Sequence, residues 1–405
     1  MALVPRAISA HHAGGMSALL VNARLCLPGD GIEEGSLRIQ DGRIAALGPQ
    51  VVQEPHDEIV DVDGAFVAPG FVDMHVHGAL GRDAMEATPD AFETICRYHA
   101  SGGTTALALT TVCASWLDIG RVLDVAREWR ESSGRTGARL LGIHVEGPYF
   151  SPEKRGAHRE GWLRVPGVND IDHWVRYTDT ITKITLAPEL PGMDRLIPEL
   201  VETGIPVSAG HSDAWDEDAQ RAFAAGMRQV THTFNCMSSA RRRGPYRVAG
   251  LLEAALAHPE VVCEVIADGH HVQPTLLRML WNAKGASHVA VVTDASAGAG
   301  LEPGAEFSLG EMRCRVGEGV AFTADGEAMA GSTSRMIDGV RTLVEAAEVP
   351  LAGAIEAATL TPARALGIAD DCGSLAVGKR ADLVVFDGGF RVRSTWVGGR
   401  MVFAE

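Results

Sequence analysis

The chain has 405 residues, 46% hydrophobic and 22% charged, which is the composition of a globular protein with a sizeable core. Its 52 acidic residues outnumber 36 Lys plus Arg for a formal charge of -16, arguing against nucleic acid or an anionic membrane as the main partner. No apolar run reaches eighteen residues, so no membrane helix is expected, and the seven scattered cysteines without a CxxC pair point to reduced core thiols in a cytoplasmic protein.

Residues 1–15 carry no apolar secretion core and read as a disordered extension, with Met16 an alternative start and His11 and His12 given no role. Residues 16–68 alternate short apolar runs with Gly and Asp turns, the pattern of antiparallel strands. Residues 370–405 have the same texture. The two ends are expected to pair into one small β-sandwich domain, since loop-closure entropy grows only logarithmically with loop length.

Between them, over residues 69–369, the texture changes. Eight apolar runs of strand length follow one another: "APGFVDMHVH", "TTALALTTV", "RLLGIHVEG", "ITKITLAPE", "IPVSAGHS", "RQVTHTFN", "VVCEVIADG" and "HVAVVTDAS". Helical stretches such as "TPDAFETICRYHASG", "WLDIGRVLDVAREWRESS" and "DEDAQRAFAAG" lie between them. Near-continuous apolar strands alternating with helices indicate a parallel sheet covered by helices, and eight such units indicate a (β/α)8 barrel.

Polar residues gather at the C-terminal ends of these strands. His75 and His77 end the first, Glu146 the third, Glu189 the fourth, His211 the fifth and His232 the sixth. Asp268 and His271 follow the seventh, and Asp294 ends the eighth. In such a barrel these ends share the face where active sites form. Residues two apart on a strand face the same side, so His75 and His77 can both point into the mouth. A lone HxH is a weak signal, because single histidines at strand ends are commonly structural. Five such strand ends in one chain are not explained independently. Imidazoles with carboxylates suit zinc, iron or a similar divalent ion, which would acidify a bound water and polarise a carbonyl. Asp294 is the candidate proton carrier, taking a proton from the attacking water and giving it to a leaving nitrogen. His144 and Asp73 share the inward register as supporting residues, and Glu189 reads as structural. His99, His173, His258 and His288 are expected at the surface.

The segments "PGFVDMHVHG", "GIHVEGPYFSPEKRGAH", "LAPE", "VSAGHSDA", "VTHTFNCMS", "VIADGHHV", "VVTDA" and "AGSTSRM" resemble the amidohydrolase superfamily. Within it they look like the N-acetylglucosamine-6-phosphate deacetylases. The resemblance implies a barrel with a small β domain, one or two divalent metals (zinc, or Fe, Mn or Co) and a homodimer. It implies that Glu146, His211 and His232 hold the principal metal, that His75 and His77 hold a second, and that Asp294 is the catalytic acid/base. It further implies that His158 and His271 contact the substrate and that Asn235 and Cys236 lie along the sugar. The family's "REPG"-like stretch, whose Arg binds the substrate phosphate, is replaced here by "MSSARRRGPYRVAGLL". This basic cluster in an acidic protein is expected to bind an anion, with Arg243 and Arg247 as the chosen residues.

The implied reaction converts N-acetylglucosamine 6-phosphate to glucosamine 6-phosphate and acetate. The altered arginine loop leaves the phosphate and the sugar open. The alternatives are a deacylase for N-acetylgalactosamine 6-phosphate, for a non-phosphorylated amino sugar or for another C–N bond. A non-catalytic scaffold is disfavoured because the whole ligand set is present.

Overall fold

The computed structural model describes residues 17–29, 31–132 and 136–405. The expected extension over residues 1–15, with Met16, lies outside the described residues. All eight expected runs form strands of one parallel sheet, in chain order: Phe71–Val76, Thr104–Thr110, Arg139–Glu146, Ile181–Leu186, Val207–Ala209, Gln229–Val230, Val262–Ile266 and Val289–Val292. The sheet curls until its last strand meets its first. Val76 and Ala295 form a parallel bridge, and Asp294 N–H donates to His75 O at 2.9 Å. Asp73, fully buried, ties the same seam by accepting from Thr293 N–H and from Thr293 Oγ1 at 2.6 Å.

The helices on the outside have legible causes. Trp116–Glu131 begins at Ser115, whose side chain accepts from Asp118 N–H, and buries Ile119, Val122, Leu123, Ala126 and Trp129. That spacing is one face of a 3.6-residue repeat turned to the barrel. Pro89–Ala100 begins with Pro at its first position behind a Thr88 cap, where the missing N–H costs nothing.

The chain ends do meet. Leu383–Phe386 pairs antiparallel with Phe66–Pro69, with Val385 opposite Val67, and Ser17–Leu27 pairs in turn with Gly31–Gln40. The result is an eight-stranded, mainly antiparallel sheet with its own core of Leu20, Leu25, Leu37, Ile39, Leu383 and Trp396.

Two features depart from expectation. His99 is buried, not at the surface: its Nε2 donates to Gly78 O at 3.2 Å, and burial pushes its pKa down to about 4. It sits on the inner face of Pro89–Ala100, where a neutral imidazole can fill space if one nitrogen finds a carbonyl. His258 and His288 are half-buried, while His173 is exposed and stacks on Trp116. A four-stranded antiparallel meander, Glu306–Leu309, Met312–Val316, Val320–Thr323 and Met329–Ser332, also follows the eighth barrel strand. It packs Phe307, Leu309, Cys314 and Val316 around Val112 and walls one side of the barrel mouth.

Candidate active site

The imidazoles arrive at the mouth by two backbone routes. His75 and His77 lie at the end of one extended strand, both buried. His211 and His232 each follow a very short strand and stand in left-handed backbone, with φ of 49° and 30°. Asp294 does the same at 48°. Non-glycine residues held there cost on the order of 1 kcal/mol or more each, a strain found where a side chain must be aimed. Glu189 supports one such turn: Ser212 Oγ donates to it at 2.7 Å and Asp213 N–H at 2.6 Å, which accords with a structural role.

Glu146 lies between the two pairs. Its Oε1 is 3.3 Å from both His211 Nε2 and His232 Nε2. Its Oε2 is 3.3 Å from His75 Nε2 and 3.1 Å from His77 Nε2. Asp294 Oδ1 faces the second pair at 3.3 and 3.2 Å. Burial alone would raise the Glu146 carboxyl, but His75, His158, His211 and His232 hold it well below the usual carboxylate range. Burial likewise opposes charge on His77, yet Asp294 and Glu146 push it up to about 10. Two buried carboxylates thus demand positive charge among the imidazoles.

The far nitrogens decide which imidazoles can ligate. His77 Nδ1 donates to Thr110 O at 3.2 Å, and His211 Nδ1 to Lys154 O at 2.8 Å. With the proton on Nδ1, each Nε2 lone pair faces the centre, as a ligand requires. His158 is the reverse. Its Nδ1 accepts from Cys113 N–H at 3.2 Å, so its neutral form carries the proton on Nε2, 3.6 Å from Glu146 Oε2. Although His158 groups by distance with Glu146 and His211, this tautomer makes it a donor into the site, not a ligand. His144 is saturated by Thr110 and Thr185 hydroxyls and stands edge-on beneath His75.

The residues fit a divalent ion. Glu146 Oε1 is buried with no hydrogen-bond partner among the described residues, although two imidazole nitrogens converge on it and on each other, His211 Nε2 lying 3.0 Å from His232 Nε2. Two imidazole nitrogens and a carboxylate oxygen converging at one buried point form a donor set that a divalent cation takes in place of protons.

Above the cluster opens a cavity of about 290 Å³, at the small end for a small-molecule site. His77, Glu146, His158, His211, His232, Asn235, Cys236, His271 and Asp294 line it, so these sequence-derived residues are brought together. His271 is anchored by Asp268, which accepts from its Nδ1 at 2.6 Å and from its backbone N–H. Sequence reasoning missed the wall. Leu309 and Met329 of the meander and Gly156 line the same cavity, and only the Gly-punctuated alternation in "EFSLGEMRCRVGEGVAFTADG" signalled that wall. Arg243 and Arg247 are not among the lining residues. They lie on the hairpin Arg241–Arg243/Tyr246–Val248, where Arg243 bonds Glu217 at 2.6 Å and stacks on Trp215. Arg247 is exposed opposite Arg242, and among the described residues neither has an ion-pair partner.

The model of the amidohydrolase family matches residues 66–402. The N-acetylglucosamine-6-phosphate deacetylase of Vibrio furnissii is 38% identical over 366 residues, 90% of this chain and 89% of that protein. The N-acetylgalactosamine-6-phosphate deacetylase of Escherichia coli O157:H7 is 34% identical, covering 94% and 98%. Among solved structures, the N-acetylglucosamine-6-phosphate deacetylase of Pasteurella multocida superposes with a TM-score of 0.89 at 31% identity, over 96% of this chain and all of that one.

Proposed function

The chain belongs to the amidohydrolase family, and from that premise we propose that it hydrolyses the N-acetyl amide of an amino-sugar 6-phosphate, releasing acetate and the free amine. N-acetylglucosamine 6-phosphate is the proposed substrate. The observation that carries the reading is Glu146 set between two imidazole pairs, with the Nε2–H of His158 directed at the same point.

Glu146, His211 and His232 would hold the principal ion, and His75 and His77 a second; this donor set suits zinc. When bound, such an ion lowers a water's pKa to about 7 and polarises the amide carbonyl. Asp294 lines the cavity, and despite burial the neighbouring His75 and His77 depress its pKa, so it is ionised and ready to accept a proton. It takes that proton from the attacking water and returns it to the leaving nitrogen as the C–N bond breaks. His158 donates its Nε2–H to the amide oxygen as charge develops there. His271, fixed by Asp268, and Asn235 and Cys236 hold the sugar. The arginine hairpin supplies positive charge for the phosphate, with Arg247 in no ion pair among the described residues.

Acetate release from N-acetylglucosamine 6-phosphate, from its galacto epimer and from both unphosphorylated sugars, with zinc supplied, tests the reading. Turnover of the gluco phosphate at the highest kcat/KM is expected. The galacto epimer is the second reading, favoured by the E. coli relative. Turnover of neither phosphate would sink the substrate assignment.

A further inference from the structure

Beneath the imidazole cluster, inside the barrel, two charged side chains take no part in the steps above. Lys183, within the fourth barrel strand, and Glu264, within the seventh, are both fully buried. Lys183 Nζ donates to Glu264 Oε1. A buried ion pair is a poor way to fill a barrel, because apolar residues of similar volume are often as stable or more so. Its other end gives it a use. Glu264 Oε2 faces His75 Nδ1 at 3.5 Å, and both atoms are buried with no hydrogen-bond partner among the described residues.

We propose that Glu264, held in place by Lys183, is the positioning residue for His75 and sets the affinity of the second ion site. His77 and His211 find backbone carbonyls for their Nδ1 protons. His75 lies deepest, and among the described residues the carboxylate of Glu264 is the acceptor that faces its Nδ1. A proton held there leaves the Nε2 lone pair directed at His77, Asp294 and Glu146. A carboxylate also makes the imidazole a more basic ligand than a carbonyl does. Lys183 occupies Oε1, so Oε2 alone remains for His75. The fully buried His144 ring, 4.5 Å away and edge-on, blocks the swing of His75 on its other side.

This role rests on the two-ion reading, and the test separates them. Metal-free protein is titrated with Zn²⁺ alone, reading stoichiometry and affinity by calorimetry and by metal analysis after dialysis. Wild type is expected to take up two equivalents. In Glu264→Gln, the amide oxygen keeps Lys183 and the NH2 meets His75 Nδ1, which enforces the wrong tautomer. The second equivalent should weaken about 10–100-fold while the first is unchanged. The pair variant Lys183→Met/Glu264→Leu, apolar throughout, should fold and show the same selective loss, which excludes a merely structural effect. Folded Glu264→Gln that binds the second equivalent as tightly as wild type would overturn the proposal, as would equal weakening of both equivalents. Wild type holding one equivalent would remove the two-ion reading itself, and this role with it.

Discussion

The two halves of the imidazole cluster reach one point from opposite kinds of backbone. His75 lies within the strand Phe71–Val76 and His77 just past its end, and neither needs left-handed backbone to bring its ring to the mouth. His211 and His232 leave strands of three and two residues and are turned inward by left-handed φ. That second half depends on its surroundings: Lys154 O holds His211, and Glu189 holds the turn beyond it. The lesson is that an imidazole pair can be aimed by strand geometry or by stored strain. The first kind is local, and the second is only as good as the packing that maintains it.

Asp294 tests whether this division is complete, because it stands in left-handed backbone yet faces the strand half. Asp294→Asn should lower kcat about 10²–10⁴-fold with zinc content unchanged. Loss of a zinc equivalent would instead place it among the ligands. Replacing His75 with Gln and His77 with Asn should remove one zinc equivalent by metal analysis and leave the other, if the halves bind independently. Loss of both would break the comparison. The strand half has its own anchor in His99, bonded to Gly78 just beyond His77. The folded pKa of His99, about 4, lies below the ordinary 6.5. Its contribution is therefore fully present above pH 6.5 and is lost as pH falls through 4, about 3 kcal/mol in all. Denaturant unfolding at pH 7 and pH 4 should show a fall larger by that amount in wild type than in His99→Gln. For the strained half, Glu189→Gln should cost about 1–3 kcal/mol of stability and weaken the first zinc equivalent, leaving the second. Smallest of all, Arg247→Ala lies outside both halves. It should raise KM about tenfold for phosphorylated substrates and leave neutral ones unchanged.

The same contrast explains what could be read in the sequence. The barrel was legible because eight apolar runs at helical intervals leave few other architectures, and HxH was legible because alternation fixes where it points. His211 and His232 were found only through topology, since nothing local marks a left-handed histidine. The meander was missed because its short strands carry ordinary alternation among many glycines. His99 was misplaced because a histidine on a helix is usually solvated, and its carbonyl partner is 21 residues away. Lys183 and Glu264 did leave a trace, a single charge inside each of "ITKITL" and "VCEVI", and only their juxtaposition across the barrel gives those charges meaning.

The seam where Asp294 N–H meets His75 O has a consequence in time. During synthesis, residues 71–77 emerge more than two hundred residues before their partner strand Val289–Val292. Until then His75 and His77 share a barrel edge with open hydrogen bonds and no Asp294. The end sheet closes about a hundred residues later still, with Arg400–Ala404, a delay of roughly 5–20 s at usual elongation rates. The nascent chain therefore carries this imidazole pair long before the rest of the cluster can assemble around it.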